Sequence, residues 1–181
     1  MTEETKEYIA NYNLKFSEIK KDDLASLFEK FNTLYPMFNR LYNDALREEA
    51  INDQKLKGFG DYKRATFFVR DYVGAENIID NLKKDKQIKS VIEIADLINK
   101  KVFHINLQDG KGQEKTDIEL ATNLLSEDAE IKSKAILGLV YNVRCNIVHG
   151  HKDFQEYQRL LMEPIIGILR TIVNTLENRM K

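Results

Sequence analysis

Apolar residues recur three and four places apart along most of the chain, which gathers them on single helix faces and predicts an all-α protein. The clearest stripe is Leu24, Leu27, Phe28, Phe31, Leu34, Tyr35, Phe38, Leu41, Tyr42, Ala45 and Leu46, about six turns of one long helix. Pro36 lies inside it, removing a backbone donor and crowding the preceding turn, so a kink or break is expected near Tyr35. Residues 52–62 lose the period and carry glycines, the mark of a loop. Helical spacing returns with Ala65, Phe68, Val69 and Tyr72, Gly74 ends it, and two further helices are expected over 75–83 and 88–100.

The pattern fails over 103–115, where an Asp109-Gly110-Lys111-Gly112 turn follows a short alternating stretch and predicts a flexible loop or small hairpin inserted between helices. Thr116 and Glu119 form a capping box that would open a helix through Leu125. Ser126 is the expected cap of the next helix, running through Ile131, Ala135, Leu139, Val143 and Ile147 to His149, with Gly150 as its stop. Apolar residues cover much of that helix's circumference, as in a central, buried helix. Asp153 and Glu156 would open a last helix that turns Tyr157, Leu160, Leu161, Ile165, Ile168, Ile172, Val173 and Leu176 inward and bends at Pro164. The connector between these two long C-terminal helices is so short that they are expected to pack as an antiparallel pair.

The length, 181 residues, fits one domain over 1–181. No apolar run approaches the roughly 18 residues of a membrane span, and the N-terminus, Met1 to Glu7, is acidic where a secretory signal is basic and then apolar, so a cytoplasmic protein without membrane contact is expected. The single Cys145 excludes an intramolecular disulfide and a cysteine-built zinc site. Lys and Arg total 28 against 29 Asp and Glu, so bulk charge does not draw the chain to nucleic acid, and any RNA site must be local.

Chemistry concentrates in residues 142–153, where Asn142, Arg144 and Asn146 interrupt an apolar helix and His149, His151 and Lys152 follow. An unpaired buried polar group costs about 1 to 3 kcal/mol and a charge more. Either these groups are spent on scaffolding, with Arg144 paired to a carboxylate and Asn146 capping a loop, or they form a site.

Arg144 and His149, separated by four residues at the end of an apolar helix, with Gly150 next and a long amphipathic helix after, resemble the HEPN superfamily (higher eukaryotes and prokaryotes nucleotide-binding). Its mark is an Arg, four to six residues, then His. Members commonly carry Asn directly after the Arg; here Cys145 stands in that place and Asn146 follows. The resemblance implies a HEPN-like helical bundle acting as a homodimer. It also implies a metal-independent endoribonuclease, of toxin-antitoxin or anti-phage defence type, in which the RNA's own 2′-hydroxyl attacks to leave a 2′,3′-cyclic phosphate. An antitoxin or regulatory protein is a possible partner on the same ground, and no cofactor is implied. The alternative is a catalytically inactive HEPN-like helical dimer that binds RNA, a nucleotide or a partner protein.

The residue types suit that chemistry independently. A histidine accepts and returns a proton near neutrality, and the C-terminal carbonyls of a helix favour its protonated form, which points to His149. Arg144 is a permanently charged fork for phosphate oxygens. Asn146, His151 and Lys152 are the expected substrate-binding residues. On a regular helix, positions five apart diverge by about 140° and lie about 7.5 Å apart along the axis. Arg144 and His149 therefore meet only if the helix unwinds or if two subunits each give one of them; the resemblance implies the second.

Other readings fail on spacing. His149-Gly150-His151-Lys152-Asp153 spells part of a two-metal hydrolase run, but Phe154 replaces the next expected histidine and no β-sheet fold accompanies it. Cys145 and His149 share a helical face, yet no oxyanion-binding loop goes with them. The segment 55–64 interleaves Lys55, Lys57, Lys63 and Arg64 with Phe59 and Tyr62, a mixture that can hold single-stranded RNA; it reads more simply as a loop anchored by its aromatics.

Overall fold

The structure, a computed structural model, describes residues 1–148 and 155–181. The chain folds as α1 (Glu3–Glu18), α2 (Leu24–Glu49), α3 (Asp61–Lys63), α4 (Val69–Val73), α5 (Ala75–Lys84) and α6 (Ile88–Asn99). A small antiparallel pair follows, β1 (Leu107–Gln108) with β2 (Lys111–Gly112), then α7 (Glu114–Leu124), α8 (Ala129–Val148) and α9 (Arg159–Arg179). The protein is all-α apart from that pair. Among the described residues no helix is long and apolar enough to cross a membrane.

α2 is the axis of the bundle. Asp23 caps it by accepting from the Ser26 backbone N–H at 2.8 Å. Phe31, Tyr35, Phe38 and Tyr42 follow one another along its inner face with centroid spacings of 6.1, 5.9 and 5.0 Å, the first pair stacked and the other two edge to face. The helix runs through Pro36 without the break that the sequence predicts. Proline in a helix interior costs about 3 kcal/mol, and the aromatic ladder on both sides of Pro36 buries enough apolar surface to hold the helix together. Pro164 likewise sits inside an uninterrupted α9.

α9 packs chiefly on α2, with further contact to α6 and α5, whereas α8 packs on α5 and α7. The two C-terminal helices are thus not the closely packed pair that their short connector predicts; they share α5 as a neighbour, while α9 makes its main contact with α2 and α8 adds α7. α8 is the central helix expected, burying Ala135, Ile136, Leu137, Leu139, Val140 and Val143, although Ile131 lies outside the core. Tyr157 and Leu160 are also exposed, because the last helix begins at Arg159 after a 3-10 turn over Glu156–Gln158.

Several helix starts differ from those read in the sequence. α7 opens at Glu114, two residues before Thr116, so the expected capping box falls inside the helix. Asp128, not Ser126, caps α8, accepting from the N–H groups of Glu130 and Ile131 at 2.8 and 3.1 Å. The stretch read as a loop forms a 3-10 turn over Gln54–Gly58, and the helix after it begins at Asp61 and widens to π geometry over Arg64–Phe68. α1, which the sequence reading leaves without an element, packs on α2. The insertion is a hairpin. Asp109 and Gly110 turn it with φ of 51° and 75°, the left-handed pair a two-residue type I′ turn requires.

Candidate functional site

Arg144 emerges from the half-buried side of α8 into a cleft of about 380 Å³ lined by Tyr8, Asn32, Tyr35, Pro36, Asn39, Arg40 and Arg144. Its guanidinium carbon stands 5.6 Å from the centre of the Tyr35 ring. Across the cleft the Arg40 guanidinium lies 5.7 Å from the Tyr8 ring. The two cations are therefore both seated on tyrosines, an arrangement that fixes a guanidinium while leaving its N–H donors free.

Arg40 is partly engaged: it pairs with Glu4 at 3.0 Å and donates to Thr5 Oγ1 at 3.0 Å. Arg144 forms no ion pair among the described residues. The scaffolding alternative, in which a carboxylate on another helix holds it, is not what these residues show. Burial works against the charge of Arg144, but the Cys145 thiol, the Tyr35 phenol and Asp61 beside it outweigh that and raise its pKa, so it stays a cation.

Two tyrosine hydroxyls of α2 next to the cleft differ in their partners. The Tyr42 hydroxyl accepts from Asn39 Nδ2 and donates to Asp61 Oδ1, each at 2.8 Å. The Tyr35 hydroxyl, on a residue only 5% exposed, is buried without a hydrogen-bonding partner among the described residues. Burial, with Asp61 adding to it, pushes the Tyr35 phenol up, so it remains protonated and able to donate. Tyr141, one turn before Cys145 on α8, is pushed up to about 12, chiefly by burial and then by Cys145 and Asp61.

Asn146 is placed differently from Arg144. It is 5% exposed, and its Nδ2 donates to the Ile105 carbonyl at 2.9 Å. Asn142 Nδ2 in turn donates to Asn106 Oδ1 at 2.9 Å. Both amides serve the segment that leads into the hairpin, and that segment is anchored by Asp117. One Asp117 oxygen accepts from the backbone N–H groups of Ile105 and Asn106 and from Asn106 Nδ2, at 3.1, 2.8 and 2.9 Å. The other lies 3.0 Å from His104 Nδ1. Asn146, expected to bind substrate, is buried in this scaffold.

His149, His151 and Lys152 lie outside the described residues. The structure thus brings Arg144 together with Tyr35, Arg40 and Asn39, none of which the sequence reading singled out. A signal for them existed: Asn32, Asn39, Asn43 and Arg47 fall at helical spacing along α2, a polar stripe that adjoins its aromatic one about 100° round the helix. No family model, curated protein or solved structure matches the chain.

Proposed function

We propose that the protein is a metal-independent endoribonuclease of HEPN type, with Arg144 and His149 as its catalytic pair. The observation that carries the reading is the cleft around Arg144, where a held guanidinium with no carboxylate partner among the described residues meets open solvent space. Arg144 would grip the scissile phosphate and offset the charge that grows on its oxygens. His149 would take the proton of the 2′-hydroxyl as the 2′-oxygen bonds to phosphorus, and would give a proton to the 5′-oxygen as the P–O5′ bond breaks, so that the imidazole ends as it began. The products are a 2′,3′-cyclic phosphate and a 5′-hydroxyl.

The homodimer belongs to the same proposal, since the divergence of Arg144 and His149 along one regular helix is resolved when each subunit supplies one of them. Toxin-antitoxin or anti-phage roles, with an antitoxin or regulator as partner, follow from the resemblance alone. The test is incubation of the purified protein with labelled single-stranded RNA in EDTA. Cutting by the parent, cyclic phosphate at the product ends, and its loss in both Arg144→Ala and His149→Ala are expected. A parent that cuts none of a varied RNA set overturns the catalytic reading and leaves the catalytically inactive binding dimer.

A further inference from the structure

The Arg144 cleft does not end at Arg40. Asn39 and Arg40 also line a second cavity of about 470 Å³, whose other walls include Asn43, Arg47, Lys57 and Arg64. The two cavities share Asn39 and Arg40 as lining residues and so adjoin along α2; together they are termed the groove. From Asn32 to Arg47 this stretch of α2 covers 16 residues, about 22 Å from first to last at the rise of an α-helix.

The charge in this groove is concentrated and largely unspent. Arg47, Lys57 and Arg64 form no ion pair among the described residues, while Arg40 has only Glu4, an exposed side chain. Arg64 is held in position by neutral groups: its Nε donates to the Phe59 carbonyl at 2.6 Å and a terminal nitrogen to Asn43 Oδ1 at 3.2 Å. In a chain of net charge −1, five cations along one groove are a local field that the overall balance conceals.

We propose that this groove binds single-stranded RNA, taking its phosphates on Arg47, Lys57, Arg64 and Arg40 and leading the strand to Arg144. The wall chemistry favours RNA over an acidic protein segment. Tyr8 stacks on Tyr12 with a centroid distance of 4.4 Å at the Arg144 end, and aromatic platforms beside a cationic track suit unpaired bases. Asn32, Asn39 and Asn43 bring amide acceptors as well as donors, and base edges and 2′-hydroxyls use both whereas a carboxylate uses donors only. The proposal rests on the endoribonuclease reading for the choice of RNA; binding itself does not require cutting.

The test uses a fluorescent 2′-O-methyl RNA oligonucleotide, which has no free 2′-hydroxyl and stays uncut, titrated with the full-length protein by anisotropy. Binding that weakens as salt rises is expected, with a log–log slope of about −0.7 for each phosphate engaged. Arg47→Glu with Lys57→Glu, both exposed positions, should weaken binding at least about tenfold, whereas Lys83→Glu with Lys89→Glu, on α5 and α6, should leave it unchanged. Arg64→Gln adds a neutral replacement in the same wall, and thermal melting confirms each variant is folded. Equal binding by the folded Arg47/Lys57 variant, equal competition by polyaspartate or by duplex RNA, or no binding by the parent overturns the proposal. Binding without cutting of ordinary RNA would sustain the groove and overturn the catalytic reading only.

Discussion

The guanidinium of Arg144 rests 5.6 Å from the centre of a ring, that of Tyr35, whose own hydroxyl is buried without a partner among the described residues. The ring and the hydroxyl are therefore separable in their effects. Tyr35→Phe keeps the ring under Arg144 and removes a buried group that bonds to nothing described, so its stability in urea should lie within about 0.5 kcal/mol of the parent. Tyr35→Ala removes the ring from a core position and should cost about 3 to 5 kcal/mol. A Tyr35→Phe cost above about 1.5 kcal/mol would show that the hydroxyl is bonded in solution.

The contrast between Arg144 and Asn146 shows how far the sequence could be read. Period alone identified α2, α5, α6 and α8, because they carry apolar stripes that only a helix can gather, and missed α1. It could not identify neighbours: α8 and α9 are joined by a short connector yet α9 packs chiefly on α2 and α8 on α5 and α7, since packing follows the fit of faces and not chain distance. Polar residues in one helix segment read alike in sequence, but Arg144 meets a cleft and Asn146 meets the Ile105 carbonyl. That difference depends on where residues 103–106 cross α8. Arg40 and Asn39 went unread for another reason, as attention to the apolar face of α2 passes over its polar one.

Asp117 is the second fixed point of the molecule. It is 3% exposed and holds Ile105, Asn106 and His104 around one carboxylate. Asp117→Ala strands two backbone donors and should cost at least about 2 kcal/mol in a denaturant melt. Asp117→Asn keeps one acceptor oxygen and should cost less. Amide exchange localises the effect: the Ile105 and Asn106 N–H groups should lose protection in Asp117→Ala and keep most of it in Asp117→Asn, and unchanged protection in Asp117→Ala would refute the role given to this residue.

Alkaline pH should unfold the protein earlier than its composition suggests. Burial is the main cause that raises Tyr8 and Tyr141 to about 12 and pushes Tyr35, Tyr42 and Tyr72 up as well. In the unfolded chain a phenol ionises near pH 10. Above that pH the unfolded state binds fewer protons than the folded one, so stability falls as pH rises. The contribution is complete below about pH 10 and is lost on the way through 12 and beyond. Tyrosinate absorbance should therefore rise together with the loss of helical circular dichroism, and the five should not ionise in a chain that is still folded.

The proposed division of the catalytic pair between subunits has a quantitative consequence. If Arg144 of one subunit works with His149 of the other, a dimer of one Arg144→Ala chain and one His149→Ala chain keeps one intact site and one site lacking both groups. Random mixing of equal amounts makes half the dimers mixed, so about a quarter of the parental activity should return from two inactive proteins. If instead both groups act within one chain, every site in the mixture lacks one of them and nothing returns. The measurement is RNA cutting after co-refolding or subunit exchange, with each variant alone as the baseline. Sedimentation must show a dimer for the parent and both variants; a monomeric parent that cuts RNA would refute the shared site at once.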